Sequence, residues 1–471
     1  MSEETAQNNL NQNNPAAVNP QDPNAGISQN IPKKNNKKLI VVALMILFLI
    51  VLSSAGVFIV KHTSQVPQIT PTPKVSITEL TPTPAAPEIL ESSPSAKIST
   101  AHNYFGFNIL QKLLVAGKET NIFISPSSIY LALSMTYNGA SGETKEAMSD
   151  TLGIKGVSND EVNKANASLI KIIQNPDPQV QIAIANSIWT KKGETFNSDF
   201  LTVNQKYYGA KIESLDFTDS KTVGIINGWV SENTRGKIPS IIQPPIPPDM
   251  VMYLINAIYF KGTWTVEFDK KLTSDRPFTL NDGTAINHPM MWQKGDFLYL
   301  ENDQFQAVNL PYGKNKRLGM FVFLPKEKLE DFTKQLTNEN WQKWLTEFKE
   351  KEGTVILPKF KLEYENNLNS ALKSLGMTVA FDSQADFSKM RANPLQKDLF
   401  ISEVIHKTYV DVNEEGTEAA AVTEVGMKAT AARPDETFFM EVNKPFYFAI
   451  VDRETSELLF MGIILEPKYS S

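Results

Sequence analysis

The sequence predicts an α+β domain preceded by a single membrane-spanning helix. Three observations carry that prediction. From residue 98 onward, helical and strand patterns alternate without the regular strand–helix–strand rhythm of a parallel sheet. An uncharged run from Leu39 to Val60 stands apart from both of its flanks. Residues 1–97 are rich in polar residues and proline, whereas the rest of the 471-residue chain has an ordinary globular composition and is long enough for a large core.

Residues 1–38 form the first segment. Residues 1–30 hold Asn, Gln and Pro with little apolar content, a composition that reads as disordered. Lys33, Lys34, Lys37 and Lys38 follow. The next segment, residues 39–60, is 22 residues long and as a helix would rise roughly 33 Å, enough for a bilayer core. Four lysines upstream against Lys61 alone immediately downstream place the N-terminus in the cytoplasm. The expected location is therefore the cell membrane, crossed once, with everything after Val60 extracellular. Ser53-Ser54-Ala55 also fits a small-residue cleavage site, which would release the domain. The apolar run continues past it to Val60 and favours an uncleaved anchor. Residues 61–97 carry the near repeats Thr70-Pro71-Thr72-Pro73 and Thr81-Pro82-Thr83-Pro84. Such a stalk cannot bury a core, and at polyproline spacing it reaches up to ~110 Å.

In the domain, residues 98–471, Phe105 to Val115 and Ser127 to Asn138 have helical spacing. Gln181 to Trp189, Val251 to Phe260, Leu318 to Leu324, Val355 to Leu357 and Phe400 to Val412 read as strands. Two of these strands hold a polar residue where an apolar one belongs. Asn256 interrupts Met252-Leu254-Ile258-Phe260, and His406 interrupts the series ending in Val410 and Val412, with Thr408 beside it. Buried polar groups nearly always find partners, so these side chains are expected to meet each other or nearby hydroxyls.

The segment Glu414-Glu415-Gly416-Thr417-Glu418-Ala419-Ala420-Ala421 combines a glycine where a strand should turn with a run of tiny side chains. With a period of two, Thr417, Ala419, Ala421, Thr423, Val425 and Met427 share an uncharged face, while Glu418, Glu424 and Lys428 lie on the other. That pattern suits a strand with one buried face. The same residues also suit a short helix capped by Thr417, and local physics leaves both readings open.

The chain has no cysteine, which excludes disulfides and thiol catalysis. A net charge of −6 offers no electrostatic case for nucleic acid. His62, His102, His288 and His406 are the only histidines, and no pair has metal-ligand spacing. Gly139-Ala140-Ser141-Gly142-Glu143 lacks the final glycine of a nucleophile elbow, and phosphate-binding glycine loops are missing. No enzyme activity, metal or cofactor is expected.

The segment at 414–421 resembles the hinge of a serpin reactive-centre loop. Asn121-Ile122-Phe123-Ile124-Ser125-Pro126-Ser127-Ser128 resembles the family's entry into its first core helix. Ile226-Asn227-Gly228-Trp229-Val230, Asn233 to Ile238, and Asn256-Ala257-Ile258-Tyr259-Phe260-Lys261-Gly262-Thr263-Trp264 are similar to further family blocks. Leu357-Pro358-Lys359-Phe360, Leu375-Gly376-Met377, Asn443-Lys444-Pro445-Phe446 and Phe460-Met461-Gly462 follow in family order, so the resemblance covers about residues 98–468.

The resemblance implies a fold of three β-sheets with surrounding helices and an exposed reactive loop at about 414–440. It implies a cluster of Ser125, Ser128, Asn256 and His406 under strands that must separate, and it places Trp264 where the loop enters the sheet. It implies a monomeric inhibitor whose partner is a serine protease, cysteine proteases being also admitted. The protease would form an acyl-enzyme on the loop and be dragged away as the hinge inserts. Counting from Gly416 by family convention, the cleaved bond is Thr430-Ala431, which suits elastase-like or subtilisin-like enzymes; cleavage at Lys428-Ala429 would suit trypsin-like ones. The small residues at 419–421 favour inhibition over the alternative, a non-inhibitory binding or adhesion module at the cell surface.

Overall fold

A 17-residue strand, Ala285–Glu301, does most to join the parts of this fold. Its first part pairs with Ser274–Thr279, its centre with Lys349–Pro358 and its last four residues with Phe305–Pro311. Because one strand runs through all three pairings, strands expected in two separate sheets belong to one nine-stranded sheet. The expectation of three sheets is corrected accordingly: among the described residues there are two hydrogen-bonded sheets. The computed structural model describes residues 96–116, 120–174, 176–417 and 437–469. No described helix is long and apolar enough to cross a membrane. The run at 39–60, its lysine-rich flank and most of the stalk lie outside the described residues.

In chain order the elements are α1 Ala96–Ala116, β1 Ile122–Ile124, α2 Pro126–Tyr137, α3 Gly142–Thr151, α4 Asn159–Gln174, β2 Val180–Lys191, α5 Ser198–Tyr208, β3 Lys211–Leu215, α6 Lys221–Asn233 and β4 Met252–Thr263. Then come β5 Ser274–Thr279, β6 Ala285–Glu301, β7 Phe305–Pro311, β8 Leu318–Pro325, α7 Leu329–Thr333, α8 Asn338–Glu347, β9 Lys349–Pro358, β10 Phe360–Asn367 and α9 Asn369–Leu372. The chain ends with β11 Ile405–Asn413, β12 Gly416–Thr417, β13 Phe438–Glu441, β14 Phe446–Asp452 and β15 Glu457–Ile464, besides a few short helical turns.

Strands β8, β14 and β15 are buried along their whole length, as strands covered on both faces must be, and their sequences are accordingly almost continuous apolar runs. Helix α2 starts where local chemistry says it should. Ser125 is its N-cap, with Oγ accepting the Ser128 N–H at 3.3 Å, and Pro126 occupies the first turn, where its missing N–H leaves nothing unpaired. Nearly every residue of α2 is buried, so it is a central helix rather than an amphipathic surface one.

The six-stranded sheet has the order β10-β11-β12-β4-β2-β3. After the buried Phe360, strand β10 alternates exposed with half-buried residues, with Lys361, Glu363 and Glu365 outward, and such charges discourage pairing by another chain at that edge. Strand β11 begins at Ile405, not at Phe400 as its composition suggests. Its only long partner explains this. The ladder with β10 ends at Asn367↔Ile405, Leu368 N donates to Val404 O at 2.8 Å, and the chain then turns into α9. Residues 400–404 therefore have no strand to pair with.

Candidate functional site

The site is a missing strand. Between β4 and β11 the sheet contains only the two residues of β12, which pair with Thr263 and Gly262 on one side and Asn413 and Val412 on the other. Below them no ladder joins β4 to β11 among the described residues. A cavity of ≈ 220 Å³ opens there, lined by Met252, Leu254 and Asn256, by Val404 and His406, and by Ser128. An added strand is stabilised where backbone donors and acceptors along a sheet can pair with it.

Gly416 and Thr417 occupy the top of this gap, and each needs its residue type for a separate reason. The chain turns at Glu414–Glu415, so Gly416 is already a paired strand residue rather than the turning point its sequence suggests. Glycine is required there by close approach, since a Cβ would lie 2.1 Å from Gly262 O, and by a φ of +149°. Thr417 is fully buried, and its hydroxyl lies 2.7 Å from that of Tyr312. Gly416→Ala is expected to lift β12 from β4 at a cost of at least ~2 kcal/mol. A lower melting temperature and faster proteolysis after residue 417 would be the signs; an unchanged melting curve would show that the approach relaxes without strain.

Trp264 lies against this hinge. Its N–H donates to Glu415 O at 3.0 Å, its indole Nε1–H donates to Asn413 O at 2.9 Å, and its ring stacks on Tyr312 with centroids 4.4 Å apart. Glu415 pairs with Lys270. Glu414 is 5 % exposed; its carboxylate meets Lys359 Nζ at 2.8 Å and accepts from the Thr273 hydroxyl at 2.8 Å. Burial pushes the Glu414 carboxyl up, but Lys359, a backbone hydrogen bond and Thr273 outweigh it and hold the group below its ordinary range. The segment Glu414 to Thr417 thus sits in place through hydrogen bonds, an aromatic wall and one largely buried ion pair. Glu418, Ala419, Ala420 and Ala421, and the bonds at Lys428-Ala429 and Thr430-Ala431, lie outside the described residues.

The first turn of α2 reaches both strands that flank the gap. Ser125 N donates to His406 Nε2 on β11 at 3.0 Å, and Ser128 Oγ donates to Asn256 Oδ1 on β4. Ser125 Oγ is used elsewhere, donating to Leu459 O at 2.7 Å. Asn256 in turn donates to Asn186 Oδ1 at 2.6 Å, directly across the β2–β4 ladder. So the four residues singled out from sequence meet as two pairs at one helix end, and the backbone of Ser125, not its hydroxyl, binds the histidine.

Sequence reasoning missed Asn186, although the signal was present: it is the polar member of Val180-Ile182-Ile184-Asn186-Ile188, as Asn256 is of its own strand. It also left Lys359 without a role inside a block that it had singled out. Tyr312 carried no sequence signal.

His406 is buried and neutral: burial pushes its imidazole down to about 3. An unfolded histidine titrates near 6.5. The unfolded chain therefore binds the extra proton between these values, so this contribution is complete above about pH 6.5 and declines as pH falls toward 3, by up to ~1.4 kcal/mol per pH unit. His406→Gln is expected to flatten the fall in stability between pH 6.5 and 4 relative to the parent, measured by denaturant unfolding. Parallel curves for the two proteins would remove His406 from the account.

Between β4 and β11 the sheet thus holds only Gly416 and Thr417, and below them the two strands share no ladder among the described residues. A family model described as Serpin (serine protease inhibitor) matches residues 100–467. The chain belongs to the serpin family. It is 36 % identical over 385 residues to the leukocyte elastase inhibitor of Equus caballus, covering 79 % of this chain and all of that one. It is 33 % identical over 376 residues to human neuroserpin, covering 77 % and 90 %. Among solved structures, the native state of the thermophilic serpin tengpin aligns with a TM-score of 0.71 at 36 % identity, covering 79 % and 94 % of the two chains. Human thyroxine-binding globulin with its ligand aligns with a TM-score of 0.72 at 27 % identity, covering 79 % and 99 %. The family is one of protease inhibitors, not proteases.

Proposed function

We propose that this chain is a membrane-anchored, extracytoplasmic inhibitor of serine-type proteases that acts as a suicide substrate. The observation that carries the reading is the vacancy between β4 and β11 with Gly416 and Thr417 seated at its top. A protease attacking the loop beyond residue 417 forms an ester between its serine oxygen and the carbonyl of the cleaved bond, and the amine side leaves. The severed loop is then free to continue the strand that β12 begins. An inserted strand of roughly 13 residues extends about 43 Å, far enough to carry a tethered protease toward the other end of the sheet. The backbone pairing satisfied on the way supplies the driving force.

The reading assigns the cleaved bond to Thr430-Ala431, with Lys428-Ala429 second. It assigns residues 39–60 to a single-pass anchor with a cytoplasmic N-terminus and residues 61–97 to a stalk. The relative named for leukocyte elastase supports a target that cleaves after small residues.

The test is denaturing electrophoresis after incubation with elastase, subtilisin, chymotrypsin and trypsin separately, with mass spectrometry of the released peptide. A band of combined mass that survives boiling is expected with elastase or subtilisin, and the peptide should begin at Ala431. Loop cleavage without such a band from any of the four would move the protein to a non-inhibitory binding role.

A further inference from the structure

We propose that His102, Glu457, Asn166 and Tyr208 are positioning residues for opening the sheet, acting through a buried polar chain that ends at the vacancy. His102, on α1, and Glu457, the first residue of β15, are 1 % and 0 % exposed, and Nδ1 lies 2.6 Å from Oε1. His102 Nε2 lies 3.0 Å from Asn166 Oδ1 on α4, and Asn166 Nδ2 donates to the Tyr208 hydroxyl at 3.1 Å. Tyr208 ends α5, and its backbone carbonyl accepts from Asn186 Nδ2 at 2.7 Å. Asn186 is bonded to Asn256, and Asn256 to Ser128. Four hydrogen bonds thus lead from the His102–Glu457 pair on α1 and β15 to Asn256 on the strand bordering the gap, and a fifth continues to Ser128.

Two facts argue that the pair does more than fill the core. A buried His–Glu contact, like a buried salt bridge, is weak evidence for stability, because an apolar pair of similar volume often does as well or better. This one is also incompletely satisfied, since Glu457 Oε2 is buried without a hydrogen-bond partner. What the pair does supply is direction. It orients Asn166, whose amide then has a fixed donor side toward Tyr208. Tyr208 OH is held in turn by Asn163 Oδ1 at 2.7 Å, which keeps the end of α5 in register with Asn186. Buried networks of this kind are stiff when complete and loosen when one link goes.

The consequence for inhibition rests on the function proposed above, but the coupling does not, so its test uses no protease. Amide hydrogen exchange is followed by mass spectrometry in peptides spanning 180–191 and 252–263, with 349–358 as control, in the full chain. His102→Leu combined with Glu457→Leu is expected to speed exchange in the first two peptides by about fivefold or more, with little change in the control. In an Asn186→Ala background, where the chain is already cut, the same pair of substitutions should add nothing. Unchanged exchange in the parent background, or an equal rise in both backgrounds, would overturn the proposal. Should the double variant fail to fold, Asn166→Leu cuts the chain one link further on and carries the same two expectations. A parent that traps no protease would sink the proposed function and leave this result standing.

Discussion

Under the proposed trapping mechanism, Thr417→Arg is expected to turn this protein into a protease substrate. Thr417 is fully buried, its hydroxyl lies 2.7 Å from that of Tyr312, and its backbone is paired with Gly262 and Val412. A guanidinium at this position faces two choices. It can stay in the buried site beside Tyr312, leaving an unpaired charge buried at a cost of several kcal/mol. Otherwise it draws the hinge out of the sheet, so that insertion must begin without its first paired residues. Either way the insertion barrier rises, and each 1.4 kcal/mol slows insertion tenfold while hydrolysis of the acyl-enzyme continues at its own rate. The expected readings are loss of the covalent band, full cleavage of the loop, and more inhibitor consumed per protease by over ~tenfold. Thr417→Val removes only the hydroxyl, at about 1–2 kcal/mol, and should still trap. An arginine variant that trapped as well as the parent would end the insertion model.

Glu414→Lys is the second large effect. The carboxylate of Glu414 is nearly enclosed, with the Lys359 ammonium at 2.8 Å and the Thr273 hydroxyl at 2.8 Å. Charge reversal breaks the pair and sets two ammonium groups facing each other where little water can screen them. Breaking a buried pair from one side costs about 3–5 kcal/mol, and repulsion places this change at the upper end. The turn at 414–415 should detach from Phe268 and Trp264, whose backbone N–H groups now donate to it. A sheet opened at the top can accept a strand from a second molecule, so heat-induced larger species on native gels are expected at temperatures where the parent's gel pattern does not change. Adding Lys359→Glu restores opposite charges and should recover most of the loss. If the single change left melting temperature and gel pattern unaltered, the ion pair would have no part in holding the hinge.

Much of the site could be read from the sequence, for identifiable reasons. Asn256 and His406 announced themselves because a period-two strand marks which positions face inward, and a polar residue there must find a partner. Asn186 obeyed the same rule and was passed over, so that miss belonged to the reading and not to the chain. The partners themselves were another matter. Tyr312 and Thr417 are 105 positions apart, Lys359 and Glu414 are 55, and His102 and Glu457 are 355. Nothing in local periodicity ties such residues together. The long strand β6 escaped for a different reason: Ala285–Glu301 mixes Pro289, Gly295 and several polar residues, so its apolar signal is diluted although it pairs along most of its length.

By itself the sequence determined the mixed α+β class, the order of the serpin blocks, and which side chains in β4 and β11 had to seek polar partners. Those properties reside in composition and in short-range alternation. Only the tertiary structure decided that β4 and β11 share no ladder and take two residues of β12 between them, that Gly416 needs its hydrogen because Gly262 O comes so close, and that the backbone of Ser125 meets His406. A vacancy is a relation between two strands nearly 150 residues apart at Trp264 Nε1 and Asn413 O. It arises when the rest of the sheet closes around it, and no single segment encodes it.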